Sequence, residues 1–127
     1  MKLVYIHLGK SVPKFLWANI ERSKRLFPEI ESVLILNNQK MISESKKRGI
    51  ETHEYLGNTD IQVLMDSSTL DQKFRDGFWR ISLERLFALC DYAIKSPSDN
   101  ILHIESDILL FPNFPFAELR LLSQCTW

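Results

Sequence analysis

The chain has 127 residues, of which 45% are hydrophobic and 25% are charged, a composition typical of one globular domain with its own core. Lysine and arginine together number 16, as do aspartate and glutamate, so the formal net charge is zero. A chain without a basic excess lacks the electrostatic attraction on which nucleic-acid binders depend. We therefore expect no nucleic-acid partner.

The amino terminus and the cysteines indicate the cellular compartment of the protein. The first apolar run, residues 3–6, is too short for a signal-peptide core or a transmembrane span, so the sequence predicts neither. Cys90 and Cys125 are the only cysteines, and their spacing is not that of a metal site or a redox motif. We therefore predict free thiols and a cytoplasmic protein.

Strand and helix patterns alternate along the chain. Short apolar runs predict strands at 3–8, 33–36, 52–56 and 101–111. Helical spacing predicts helices at 11–27, 40–48 and 78–95, with a loop or short helices over 57–77. This alternation predicts one α/β domain over 1–127, a Rossmann-like three-layer arrangement in which a mainly parallel sheet carries helices on both faces.

Polar residues gather where the predicted strands end. His7 and Gly9 end the first strand, Asn37 follows the second, and the acids Glu105 and Asp107 lie in the last. Ligands of open parallel sheets bind beyond the carboxyl ends of the strands. We therefore expect a binding site at this edge of the sheet.

Two carboxylates, Glu105 and Asp107, interrupt the apolar segment 101–111. Charges in such a run carry a desolvation cost unless they are paired or bound to metal. At a spacing of two they would lie on one side of an extended backbone, where their oxygens suit Mg²⁺ or Mn²⁺. His103 shares that side and would complete a metal trio. The alternative is an edge strand whose polar face is solvated and whose apolar face is buried.

The helix predicted at 78–95 has an arginine outside its charged arc. The arc expected to face solvent consists of Arg80, Glu84, Asp91 and Lys95. The side expected to face the core carries Trp79, Leu83, Leu86, Cys90 and Ala93. Arg85 projects instead among apolar residues, with Ser82 close by, and its permanent charge requires an anion. The acidic strand or a ligand phosphate would supply one; alternatively, Arg85 extends to water from the edge of the helix.

The arginine-bearing helix, the turn after it and the segment 101–111, followed by Asn113-Phe114, resemble the glycosyltransferases of the GT-A fold. In that family a hydrophobic strand leads into an Asp-x-Asp or Glu-x-Asp motif, here Glu105-Ser106-Asp107. The resemblance covers about 3–119 and is tightest over 78–116. It implies a GT-A type fold, a UDP- or GDP-linked sugar as donor, and transfer of the sugar to an unknown acceptor.

The resemblance also implies roles for individual residues. Asp107 matches the acid that ligates a divalent cation, Mn²⁺ or Mg²⁺, bridging the donor diphosphate. Glu105 matches the acid that contacts the donor ribose, or the metal through water. Arg85, with Ser82, matches helix residues that reach the donor phosphate or sugar. His7 to Gly9 match the loop that holds the base and ribose, and Asn37 matches a position near the base.

Family members are usually longer, and their second half supplies the acceptor site and any catalytic base. We therefore expect an incomplete, donor-binding half and assign no catalytic residue. The alternative is a non-catalytic α/β nucleotide-binding or protein-interaction module in which Glu105 and Asp107 pair with Arg85. A nucleotidyltransferase would need a glycine-rich phosphate loop, which the sequence lacks. A homodimer formed through core surface that an incomplete domain leaves exposed is a hypothesis for the oligomeric state.

Overall fold

The computed structural model describes residues 1–96 and 100–122, which form four strands and five α-helices in alternating order. The strands are β1 (Lys2–His7), β2 (Glu31–Leu36), β3 (Glu51–Glu54) and β4 (Ile101–His103). The helices are α1 (Lys14–Leu26), α2 (Gln39–Lys47), α3 (Asp60–Ser67), α4 (Phe78–Lys95) and α5 (Phe116–Leu122). None of the described helices is long and apolar enough to cross a membrane.

All four strands are parallel and form one sheet in the order β3-β2-β1-β4. Within the sheet, Val4 of β1 pairs with Val33 of β2 on one side and with His103 of β4 on the other. The strand β1 is buried from Leu3 to Ile6, as expected for a central parallel strand covered on both faces. The predicted α/β class with a parallel sheet is therefore confirmed.

Two apolar clusters cover the two faces of the sheet, because alternate residues of a strand point to opposite sides. Leu3 and Tyr5 of β1 pack with residues of α1 and α2, and this cluster extends to Phe116 of α5. Val4 and Ile6 pack on the other face against α4. Helices on both faces of a central sheet are the three layers that the sequence predicted.

The ends of α2 follow the local sequence. The Asn38 side chain accepts hydrogen bonds from the backbone N–H groups of Lys40 and Met41, which caps the start of the helix. Beyond its end, Gly49 adopts a φ of +64°, the left-handed conformation in which glycine commonly ends a helix. The region from 57 to 77, where a loop or short helices were expected, contains α3 and a single 3₁₀ turn.

The last strand is shorter than predicted. β4 ends at His103, and the prediction of a strand over 101–111 is wrong. Ser106 and Asp107 form a turn that the Ile108 N–H closes by donating to the Glu105 carbonyl oxygen at 3.1 Å. The side-chain amide of Asn19 in α1 donates to the Ser106 carbonyl oxygen at 2.8 Å. Hydrogen bonds from α1 thus replace the sheet pairing that an extended strand would have made.

The bounds predicted for α4 are confirmed, but the side predicted to face the core is wrong. Its buried residues are Ala88 and Tyr92, whereas Cys90 is exposed and Leu86 is 58% exposed. Apolar residues occur on nearly every side of this helix, so the charged arc alone does not determine which side meets the sheet. Cys90 has a free thiol, and Cys125 lies outside the described residues.

Candidate functional site at the carboxyl edge of the sheet

The strand order reverses at β1. The chain passes from β1 outward through β2 to β3, and then returns by way of α4 to place β4 on the other side of β1. The carboxyl ends of β1 and β4 are therefore neighbours with connections leading away in different directions. In open α/β sheets this is the place where ligands bind.

The loop after β1 contacts the end of β2. The backbone N–H of Gly9 donates to the Asn37 side-chain oxygen at 3.2 Å. Asn37 is exposed and Gly9 half-buried, so the contact lies at the surface of the carboxyl edge. Gly9 and Asn37, which were assigned to the site only from their positions in the sequence, are thus in direct contact.

His7 is held in one orientation at the end of β1. Its Nε2 lies 2.8 Å from the carbonyl oxygen of Ser11, which can only accept, so Nε2 carries the proton. A methyl group on Gly9 would lie 3.1 Å from that nitrogen, so the absence of a side chain there leaves room for the ring. The ring nitrogen Nδ1 remains as an acceptor.

The pKa of His7 is lowered. Burial of the ring is the main cause, and the positive charge of Arg85 lowers the pKa further, while the hydrogen bond to Ser11 opposes both effects. The imidazole is therefore neutral at neutral pH. The effect of Arg85 on this pKa is consistent with the end of β1 and the middle of α4 facing the same space.

Arg85 binds the acid at the end of β4. Its Nη1 lies 3.1 Å from Oε2 of Glu105, and the two side chains are 30% and 51% exposed. The Arg85 Nε is buried and makes no hydrogen bond to any of the described residues. The expectation that this arginine requires an anion is met by the neighbouring acid, and the guanidinium retains a donor for a further acceptor.

His103 lies on the other side of the same carboxylate. Its Nδ1 is 3.0 Å from the Val4 carbonyl oxygen and therefore carries a proton, and its Nε2 is 3.8 Å from Glu105 Oε1. Glu105 thus lies between a guanidinium and an imidazole.

Asp107 is exposed in the turn after β4, and its carboxylate has no hydrogen bond or ion pair with the described residues. The structure does not assemble His103, Glu105 and Asp107 into a metal trio, and no group of three or more potential metal ligands occurs in the part of the chain that it describes. A cation bound to the two acids would need ligand oxygens and waters to complete its shell. Ser82 is half-buried on α4, one turn before Arg85, and makes no side-chain hydrogen bond to the described residues.

Two residues that support the site were not found from the sequence. Ser11 orients His7 through its backbone carbonyl, which leaves no sequence signal. Asn19 is buried in α1 and binds the backbone at Ser106, so it anchors the turn that carries Asp107. The sequence could have indicated Asn19, because it places an amide side chain among the apolar residues of an amphipathic helix. A buried amide needs a hydrogen-bond partner.

In comparisons with protein-family models, curated proteins and solved structures, the chain matches none of them.

Proposed function

We propose that this chain is the donor-binding domain of a glycosyltransferase of the GT-A type, which binds a nucleoside-diphosphate sugar together with Mn²⁺ or Mg²⁺. One observation carries the proposal. The Arg85–Glu105 contact lies at the carboxyl edge, next to the point where the strand order reverses, and the next acid in the chain, Asp107, is open to solvent.

The donor diphosphate would lie against Arg85. The guanidinium stays protonated at any ordinary pH, and its planar set of donors matches phosphate oxygens. Because Glu105 occupies Nη1, the other N–H groups at the exposed end of the guanidinium are left for the ligand. In glycosyl transfer the leaving group is a nucleoside diphosphate, so a fixed positive charge at this point stabilises the negative charge that develops on it.

The divalent cation would be held mainly by Asp107. Its exposed carboxylate is a hard oxygen ligand without a competing protein partner among the described residues. Glu105 already binds Arg85, so its role is to position the guanidinium and to contact the cation through water. A bound cation neutralises diphosphate charge, which assists departure of the nucleotide.

The nucleoside would lie along the ends of β1 and β2. His7 offers a neutral ring with a free acceptor, and Gly9 leaves the backbone open to close approach. Asn37, next to Gly9, has an amide group that can both donate and accept. A ribose hydroxyl and a base edge are the ligand groups that such partners recognise.

Thermal melting with UDP or GDP, in the presence and absence of Mn²⁺, tests the proposal. A ligand at tenfold excess over its Kd stabilises a fold by about 1.4 kcal/mol, which raises the Tm of a domain of this size by roughly 4–6 °C. We expect a rise only when nucleotide and metal are both present, and no rise for Asp107→Ala. Glu29→Ala is the matched control, because Glu29 is an exposed acid in the turn before β2, at the opposite edge.

The competing proposal is a non-catalytic interaction module. The Arg85–Glu105 pair favours it to some extent, because the two charges compensate each other without a ligand. In that case the melting curves would be equal under all conditions, and the transferase proposal would be abandoned. If nucleotide binding is observed, hydrolysis of a panel of UDP- and GDP-sugars separates a catalyst from a domain that only binds the donor.

A further inference from the structure

Asn19 is a buried amide in the middle of α1. It is 7% exposed, and Leu16 and Ile20 of the same helix belong to the core. A primary amide that leaves water loses its hydrogen bonds to solvent and needs protein partners in their place. The partners of Asn19 therefore indicate the role of this side chain.

These partners are backbone carbonyls on either side of Asp107. The Asn19 Nδ2 donates to the Ser106 carbonyl oxygen at 2.8 Å and, at the longer distance of 3.5 Å, to the Ile108 carbonyl oxygen. The amide nitrogen carries two hydrogens, so one side chain can serve both acceptors. Asn19 thus binds the residue before Asp107 and the residue after it, while the Asp107 side chain is exposed.

Apolar packing does not hold this turn in place. Ile104 and Leu110 are buried, whereas residues 105–109 between them are half-buried or exposed. The bond from the Ile108 N–H to the Glu105 carbonyl oxygen closes the turn but does not attach it to another element. The position of Asp107 therefore depends on the hydrogen bonds that its neighbours accept from α1.

Arg22 supports the same segment from the next turn of α1. It follows Asn19 by three positions, so the two side chains lie on one side of the helix. Its Nε donates to the Leu110 carbonyl oxygen at 3.3 Å. Two polar side chains of α1 thus hold the backbone of 106–110, and Asn19 is the one that contacts the neighbours of Asp107.

We propose that Asn19 is a positioning residue for the cation site, which fixes the backbone on both sides of Asp107 and so holds its carboxylate in place for Mn²⁺ or Mg²⁺. This inference rests on the proposed function, in which Asp107 is the main protein ligand of the cation. A ligand group that is already fixed loses little conformational freedom when the cation binds. Replacement of a residue that holds a metal ligand commonly lowers metal affinity about 10–100-fold.

Calorimetric titration with Mn²⁺–UDP or Mn²⁺–GDP tests the proposal. Asn19→Leu keeps a side chain of similar size and removes its donor, so we expect the affinity to fall about tenfold or more. Arg22→Met keeps an apolar stem and removes the donor to Leu110. Because Arg22 is not buried, this variant carries little risk of misfolding, and we expect a smaller loss of about threefold.

Ser23→Ala is the matched control. Ser23 is also a buried polar residue of α1, but its Oγ shares a hydrogen bond of 2.8 Å with the Tyr5 hydroxyl in the core. Its replacement removes a buried hydrogen bond of the same helix without reaching the turn. We therefore expect wild-type affinity for the Mn²⁺–nucleotide complex. Circular dichroism verifies that every variant is folded at the temperature of the titration.

Hydrogen exchange gives a measurement that requires no metal. The Ile108 N–H closes the turn, so its exchange rate reports how often the turn opens. We expect Asn19→Leu to accelerate this exchange about tenfold and Arg22→Met to accelerate it less, because each removes a bond between the turn and α1. Ser23→Ala should leave the rate unchanged.

The outcomes separate this inference from the proposed function. Wild-type affinity in both Asn19→Leu and Arg22→Met would overturn the inference and leave the proposed function standing. A loss of affinity in Ser23→Ala equal to that in Asn19→Leu would also overturn it, because the loss would then follow stability and not the turn. An Ile108 exchange rate that Asn19→Leu does not change has the same consequence. A wild-type chain that does not bind the Mn²⁺–nucleotide complex would overturn the proposed function and the inference with it.

Discussion

Arg85 and Glu105 are separated by 20 positions in the sequence, and Nη1 of the arginine lies 3.1 Å from Oε2 of the glutamate. The contact joins α4 to the chain just beyond β4, next to the carboxyl end of β1. Both side chains are partly exposed, so an ion pair of this kind contributes less than about 1 kcal/mol to stability. Its importance is positional, since it holds a permanent positive charge where ligands of parallel sheets bind.

Substitutions of Glu105 and Arg85 should show that the pair contributes little to the free energy of unfolding and more to nucleotide affinity. We expect Glu105→Gln to change the free energy of unfolding by less than about 1 kcal/mol in urea denaturation. Arg85→Lys keeps the charge but loses the planar set of donors, so we expect nucleotide affinity in the presence of Mn²⁺ to fall about tenfold. Calorimetric titration measures that affinity. Equal affinities for wild type and Arg85→Lys would place the diphosphate elsewhere.

The charge of Arg85 should be visible in the titration of His7. Arg85 lowers the pKa of His7 together with burial, so Arg85→Gln should raise that pKa, while burial still keeps it below the ordinary value. Titration of the imidazole signals by NMR measures the change. Arg80→Gln on the exposed side of the same helix is the matched control and should leave His7 unchanged. A His7 pKa that does not respond to Arg85→Gln contradicts the shared site.

A methyl group at Gly9 should disturb the His7 ring. The added carbon would lie 3.1 Å from Nε2, which is closer than ordinary van der Waals contact. We expect Gly9→Ala to displace the ring from Ser11 and to cost about 1 kcal/mol of unfolding free energy. In the double variant with His7→Ala the clash is absent, so the two costs should not add. Additive costs would show that the ring and Gly9 do not interact.

The hydrogen bonds that Asp91 of α4 accepts from His53 of β3 and from Lys95 should make stability depend on pH. Burial would raise the pKa of Asp91, but hydrogen bonds from His53 at 2.8 Å and Lys95 at 2.9 Å outweigh it and lower the pKa. The stability gained is present above the unfolded pKa and is lost as the pH falls through the folded one. Asp91→Asn should therefore cost about 1–2 kcal/mol at pH 7 and progressively less as the solution is acidified. A cost that is constant with pH would contradict the assignment.

Much of the fold and part of the site follow from the sequence for physical reasons. Parallel strands place all their carboxyl ends at one edge, which is why Asn37 and Gly9 were expected near each other and are in contact. An arginine among apolar side chains needs an anion, and the next acidic segment supplies Glu105. These predictions depend on rules that apply regardless of how the side chains pack.

The features that the sequence did not predict depend on tertiary contacts. An apolar segment with two acids reads as a strand at 101–111, but Asn19 and Arg22 of α1 bind backbone carbonyls of its second half and draw it away from the sheet. Asp107 therefore lies in a turn and not beside Glu105 on a strand. The side of α4 that meets the sheet was also hidden, because this helix has apolar residues almost all round.

Paramagnetic broadening by Mn²⁺ in ¹⁵N-labelled protein, in the presence of UDP or GDP, tests the central claim most directly. We expect the amide signals of 105–108, 7–9 and Asn37 to broaden first, and we expect Asp107→Ala to remove the effect. Broadening confined to the acids of the opposite edge, at 29–31 and Glu51, or the absence of any localised broadening, would contradict it.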